Sequence, residues 1–240
     1  MSLNTPRILV GALQPGARPL NIGVNGARRG VAEFGNTRMT VIVKSVNPKE
    51  LAAECFCALL ANDLGMRSPQ CAIVQENNQW LFASVFEQYP NFSQAFNIDP
   101  NAPDAAVLEA AVIELADWAG IGKLFAFDVL VQNDDRNIGN LLVDNADYLL
   151  IDHSRSMGAW TYARMQPIFN YMKTIMVPDD QLKIRGKAVA AALTFPRGCH
   201  TLTCSDLASA HTLVSPFATD FDVLIADRLA SISSLVATDL

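Results

Sequence analysis

Between Asp128 and Gly158 the chain reads DVLVQNDDRNIGNLLVDNADYLLIDHSRSMG. Three oxygen-bearing side chains in it stand at a spacing that suits metal-assisted chemistry. Leu141 to Val143 and Tyr148 to Ile151 read as two short strands around the turn-rich tetrad Asp144 to Asp147. Pairing Val143 with Tyr148 and Leu141 with Leu150 extends to Gly139 opposite Asp152, with Asn140 beside Asp152 at the mouth of the hairpin. Cross-strand neighbours have Cβ atoms about 5 Å apart. An amide oxygen beside a carboxylate is a hard-oxygen site that suits Mg²⁺, which takes one or two protein oxygens with water and phosphate. Asp135 stands five residues before Asn140, on the loop leading to that mouth. Phosphoryl transfer needs this set: one carboxylate to orient the attacking hydroxyl and accept its proton, an amide and a second carboxylate to hold the metal. The plain alternative is that these are turn residues only. It explains Asp144 to Asp147 well and Asp134-Asp135-Arg136 poorly, because clustered acids need solvent or a cation. Asp134 competes with Asp135 as the base, and the step to Asn140 favours Asp135. Arg136 would neutralise nearby charge or hold the loop.

Upstream, Lys44 interrupts the apolar strand Arg38 to Val46. Glu54 follows Leu51 by three residues, close to the apolar face of the next helix. A strand lysine paired to a helix glutamate can hold ATP phosphates. Taken alone, a lysine that snorkels to water and a solvated glutamate explain these residues as well.

The elements that must position these groups are legible in outline. Asn47-Pro48-Lys49-Glu50 starts a helix, with Asn47 as cap, Pro48 in the first turn and Glu50 closing a capping box. The helix runs through Leu51, Cys55, Leu59 and Leu64 to a stop at Gly65. Ala72 to Val74 and Trp80 to Ala83 read as strands around the polar turn Gln75 to Gln79. Gln88 to Pro103, rich in Pro and Asn, reads as a hinge or linker. Asp104 to Gln132 reads as two helices divided near Gly120 to Gly122. The tail from Trp160 is mostly helical, with loops expected at Pro178-Asp179-Asp180 and Pro196-Arg197-Gly198 and a last helix over Phe221 to Val236. His153 reads as a packing residue that positions Asp152. Asp128 either holds the catalytic loop by hydrogen bonds or is a solvated helix residue. Ser154, Ser156 and Tyr148 are open to modification, or are ordinary loop and strand residues.

With 240 residues and 26.1 kDa, the chain is long enough to bury a sizeable core. Apolar residues make up 50% and charged ones only 18%, which excludes disorder over most of its length. The net charge is −6 with a pI near 5.0, and the densest basic spot is Arg28-Arg29. That argues against a nucleic-acid footprint, which needs clustered cations. The acidity also argues against a membrane surface. There is no stretch of about 18 uninterrupted apolar residues and no signal-peptide pattern near Met1 to Arg18, so a cytoplasmic location is expected. Five irregularly spaced cysteines do not form a disulfide framework. Cys199-His200 with Cys204 could hold a metal, but no second ligand pair has matching spacing, and ordinary buried thiols explain them better.

Lys44, Glu54, Asp135-Arg136-Asn137-Ile138-Gly139-Asn140 and Ile151-Asp152-His153 together resemble the HipA-like kinases. These belong to the atypical kinase group that includes the phosphatidylinositol 3- and 4-kinases, and the likeness is to the short bacterial HipA-like domains. Leu64, Gly65 and Pro69 continue it, and the motif-bearing part covers roughly residues 20–160. The resemblance implies an α+β, two-lobed protein-kinase-like fold. The small β-rich N-lobe would span 1–87, the hinge 88–103 and the mainly helical C-lobe 104–240. It implies a serine/threonine protein kinase using ATP and Mg²⁺, with an unidentified protein substrate or regulatory partner. Asp135 would be the base, Asn140 and Asp152 the Mg²⁺ ligands, and Lys44 the contact to the phosphates, oriented by Glu54. Phe86 to Tyr89, with Phe86, Glu87 and Gln88 against the adenine, would be the hinge. Asn137 stands where lipid kinases often have His, and Ser154 where kinases generally have Gly. Gly23, Gly26, Gly30 and Gly35 are the candidates for a nucleotide-covering loop, though each fits a hairpin turn as well. A catalytically weak nucleotide-binding module, a lipid or small-molecule kinase, and AMP transfer are the alternatives.

Overall fold

The computed structural model describes residues 7–20, 26–99, 102–159 and 167–239. Six strands form the first part: β1 (Leu9–Leu13), β2 (Arg18–Pro19), β3 (Arg28–Phe34), β4 (Thr37–Lys44), β5 (Cys71–Glu76) and β6 (Gln79–Val85). Their order is β1-β5-β6-β4-β3-β2, and β1 also pairs with β3, so five of the strands close on themselves. Closure removes the exposed edges that an open sheet would leave. The inside is filled by Leu9, Leu13, Ala32, Val41, Val43, Ala72, Val74, Leu81 and Ala83. Alternation along β4 then turns Lys44, Ile42 and Thr40 to the outside. Gly11 allows the closing contact, because a Cβ there would collide with the Glu33 carbonyl and the Phe34 ring.

Between β4 and β5 lies α1 (Pro48–Asp63), with the Asn47–Glu50 capping box expected of its sequence and Gly65 at φ +72 just beyond its end. Residues Leu51 to Ala61 are all buried, so α1 has no solvent face over that stretch. One side meets the strands and the other the C-terminal helices.

Past β6 the chain passes through α2 (Phe92–Ala95), α3 (Ala105–Asp117) and α4 (Ile121–Val131). The segment expected to be a hinge therefore holds a capped helical turn, whose Phe92 is fully buried. A short 3₁₀ turn (Ile138–Asn140) leads into the hairpin β7 (Leu141–Asp144) and β8 (Asp147–Leu150). Its register has Leu141 opposite Leu150 and Val143 opposite Tyr148, as the sequence predicts. The Asp144–Asp147 tetrad is structural: Asn145 takes φ +55 in the turn, and Arg67 bonds Asp144 at 2.6 Å.

Four helices complete the chain: α5 (Pro167–Ile175), α6 (Pro178–Thr194), α7 (Thr201–Ala210) and α8 (Ala218–Asp239). The loop expected at Pro178-Asp179-Asp180 is instead the first turn of α6. Proline lacks only an N–H that is unpaired there anyway, and both aspartates favour the positive end of the helix dipole. The loop at Pro196 to Gly198 lies between α6 and α7 as expected, and the last helix extends beyond Phe221 to Val236 at both ends. The molecule is a mixed α+β fold with a β-rich N-terminal part and a helical C-terminal part. No helix among the described residues is long and apolar enough to cross a membrane.

Candidate active site

Lys44 ends β4 on the outer face of the closed sheet, where it meets α1 and the segment after β8. Its Nζ lies 3.3 Å from Glu54 Oε1 and 3.0 Å from Asp152 Oδ1. Glu54 is 1% exposed, and its other oxygen accepts a hydrogen bond from the His153 N–H at 2.8 Å. One glutamate thus ties the strand lysine to the backbone beside Asp152. Burial pushes the Glu54 carboxyl up to about 7 against the pull of Lys44. Burial also works against the Lys44 ammonium, but the carboxylates of Glu54 and Asp152 outweigh it and raise its pKa. Burial opposes the Asp152 anion as well, yet Lys44 and the Ser154 hydroxyl hold that carboxyl below its ordinary value.

Asp152 takes φ +59, a left-handed conformation that aspartate tolerates better than most residues. The Glu54 bond to the next N–H and the Ser154 Oγ bond to Asp152 Oδ1, at 3.0 Å, fix it there. Ser154 therefore supports the carboxylate it follows.

The loop carrying Asp135 is built on a buried ion pair. Arg136, 2% exposed, bonds Asp128 through Nη2 at 2.9 Å and Nε at 3.0 Å. Its Nη1 donates to the carbonyls of Asn140 (3.3 Å) and Ile151 (2.9 Å). Asp128 also accepts from Asn133, so it holds the loop rather than facing solvent. The same guanidinium approaches His153 Nδ1 at 3.3 Å. A guanidinium only donates, so Nδ1 is the acceptor and the ring proton sits on Nε2. Burial and Arg136 hold His153 well below its ordinary pKa, hence neutral. It packs edge-on against Phe127, as a packing residue beside Asp152 should.

Asn137 Oδ1 accepts from the Gly139 N–H at 2.8 Å and caps the 3₁₀ turn. Asn140 Nδ2 donates to the Asp135 carbonyl at 2.9 Å, which fixes the amide and leaves Oδ1 as its acceptor end. The Ile151 N–H donates to the Asn140 carbonyl, joining the two sides of the hairpin mouth. An amide oxygen and a carboxylate oxygen are the hard donors that Mg²⁺ takes, so these residues fit that ion. Asp135 lies close enough to Asp152 and Lys44 to feel both charges. Burial raises its pKa, and Arg155, 3.2 Å away, opposes that rise.

The other expected residues fall as follows. Val85 and Phe86 donate their N–H groups to the carbonyls of Gln70 and Thr40, and Glu87 and Gln88 continue the same connection. Gly23 lies outside the described residues. Gly35 takes φ +58 in the β3–β4 turn, as a hairpin glycine does, Gly26 takes φ +58 two residues before β3, and Gly30 lies within β3. His200 and Cys204 are buried and Cys199 is partly buried. The His200 Nε2 pairs with Asp222 at 3.3 Å, and no metal-ligand cluster occurs among the described residues.

Two arginines escaped the reading of the sequence. Arg29 is paired with Ile42 and lies with Lys44 on the outer face, its guanidinium 4.0 Å from the centre of the Phe86 ring. Arg155 reaches Asp135 from three residues beyond Asp152. Register would have found the first. The second carries no local signal, because its partner Asp135 lies twenty residues upstream.

A profile of the family described as HipA-like kinase matches residues 35–166, more than half of the chain. No curated protein matches it in sequence. Among solved structures it is similar to the proinflammatory kinase CtkA of Helicobacter pylori, with TM-score 0.60 and 13% identity, over 96% of this chain and 97% of that one. It is also similar to HipA of Shewanella oneidensis, in that protein's complex with HipB and operator DNA. There the TM-score is 0.59 and the identity 11%, over 95% of this chain and 68% of HipA. At these identities the likeness is one of fold, and the fold is a kinase fold.

Proposed function

Because this chain belongs to the HipA-like kinase family, we propose that it is a phosphotransferase that moves the γ-phosphoryl group of ATP, with Mg²⁺, onto a serine or threonine hydroxyl of a protein. One observation carries this reading: Lys44 bonds Glu54 and Asp152 at once, so strand, helix and hairpin converge on one charge centre. Drawing three ionisable groups out of water at one point costs desolvation energy that packing alone does not require, and such clusters mark functional sites.

In this reading Lys44 holds the phosphates and Glu54 fixes its direction. Asn140 and Asp152 hold Mg²⁺, which when bound neutralises phosphate charge. Phe86, Glu87 and Gln88 meet the adenine. Asp135 orients the attacking hydroxyl and takes its proton. The new bond joins the hydroxyl oxygen to phosphorus, and the bond to the bridging oxygen breaks with its electron pair leaving on ADP.

Calorimetric titration with ATP and Mg²⁺ tests the site. Wild type should bind, and Lys44→Met should weaken binding about tenfold or more, the scale of one charge-assisted contact. Equal affinity in the two proteins would overturn the assignment of Lys44.

A further inference from the structure

Transfer spreads negative charge over the oxygens of the moving phosphoryl group, and cations aimed at it lower the barrier. Three cations act on Asp135: Arg155, Arg136 and Lys44. Arg136 is committed to Asp128, two backbone carbonyls and His153, deep below the loop. Lys44 is committed to Glu54 and Asp152. The catalytic loop itself, Asp135 to Asn140, holds no other cation, and Asn137 is turned onto the backbone. Arg155 is one-third exposed, comes from the segment after Asp152 and meets the partly exposed Asp135 carboxylate at 3.2 Å.

From this arrangement, and resting on the phosphotransferase reading above, we infer that Arg155 is a further catalytic residue. It holds the Asp135 carboxylate in the resting enzyme and contacts the γ-phosphoryl group during transfer. The substrate hydroxyl takes its place on Asp135, and the guanidinium moves to the phosphoryl oxygens. A planar guanidinium presents paired donors that match both partners, carboxylate and phosphate. The proton, phosphoryl group and electron pair move as already written, and Arg155 gains and loses no bond.

The test compares wild type, Arg155→Ala, Arg155→Lys and Asp135→Asn. With γ-labelled ATP and Mg²⁺, label reaching the protein itself, casein or water is counted together. Thermal unfolding and ATP affinity are measured alongside. Arg155→Ala should lose about 100-fold or more in kcat, the low side of what arginines aimed at phosphoryl groups supply. Its ATP affinity should stay within about threefold and its Tm close to wild type, which separates transition-state contact from binding and folding. Added guanidinium ion should restore at least a tenth of the lost rate, and Arg155→Lys should fall between the two. Arg155→Ala turning over within twofold of wild type overturns the inference and leaves the phosphotransferase reading standing. So does a loss that appears only in ATP affinity, or one that guanidinium and lysine do not repair. No turnover by wild type above the Asp135→Asn background fails the phosphotransferase reading itself.

Discussion

Glu54 carries the sharpest prediction about a single side chain. Its carboxyl is raised by burial from 4.5 to about 7. A carboxyl raised in the folded state binds its proton more tightly there than in the unfolded chain. Its contribution to stability is therefore full below pH 4.5 and is lost as pH rises towards 7. Glutamine keeps the acceptor for the His153 N–H and cannot titrate. Without nucleotide or metal, the Tm of Glu54→Gln minus that of wild type should rise between pH 4.5 and 7, as read by calorimetry. A flat or falling difference would contradict the buried-acid account. Much of this site was legible residue by residue. The step from Asp135 to Asn140 and the apolar frame around Lys44 are local patterns. Arg155 was not legible, because its partner Asp135 is set by folding and not by spacing, and Arg29 becomes legible only once β3 and β4 are set in register.

Among the elements, the hairpin was the most legible. Its short tetrad allows one register, and a slip by one residue would turn Leu141 and Leu150 out of the core. The closing strand β1 was not read at all. It pairs in parallel with β5, over sixty residues away, and no local turn announces such a pairing. Gly11 is the residue that permits closure onto β3. Replacing it with valine forces a side chain into the Glu33 carbonyl and Phe34, an overpacking that costs about 1–3 kcal/mol. Urea unfolding of Gly11→Val should show that loss. A change under about 0.5 kcal/mol, the range of an indifferent surface substitution, would mean β1 does not close the sheet.

At the level of the fold, α1 is the part gripped from both sides. Arg7 bonds Asp63 at its end and Asp206 on α7, Thr203 bonds Asp63, and Phe56 packs edge-on against Phe221 of α8. At the other end Lys49 donates to the Gly158 carbonyl at 2.7 Å. The helix bearing Glu54 is thus fixed to the C-terminal part as well as to the sheet. Its sequence shows a start and a stop but not this burial, because the covering helices lie far along the chain. The same burial predicts inert thiols. Cys55, Cys57, Cys71 and Cys204 are buried, and burial raises Cys204 to about 12 and the half-buried Cys199 to about 11. Iodoacetamide at pH 8 should leave the native protein almost unlabelled while labelling all five cysteines in denaturant. Rapid labelling of the native protein would contradict the packing around α1 and α7.

The central claim is that Asp135, Asn140, Asp152 and Lys44 form a working phosphoryl-transfer site. It is tested most directly by transfer of label from γ-labelled ATP in the presence of Mg²⁺, wild type against Asp135→Ala. A general base contributes about 10²- to 10⁴-fold, so wild type should transfer label to itself or to casein, and Asp135→Ala should fall by at least the lower of these factors. The same rate from both proteins, with both folded, would contradict it.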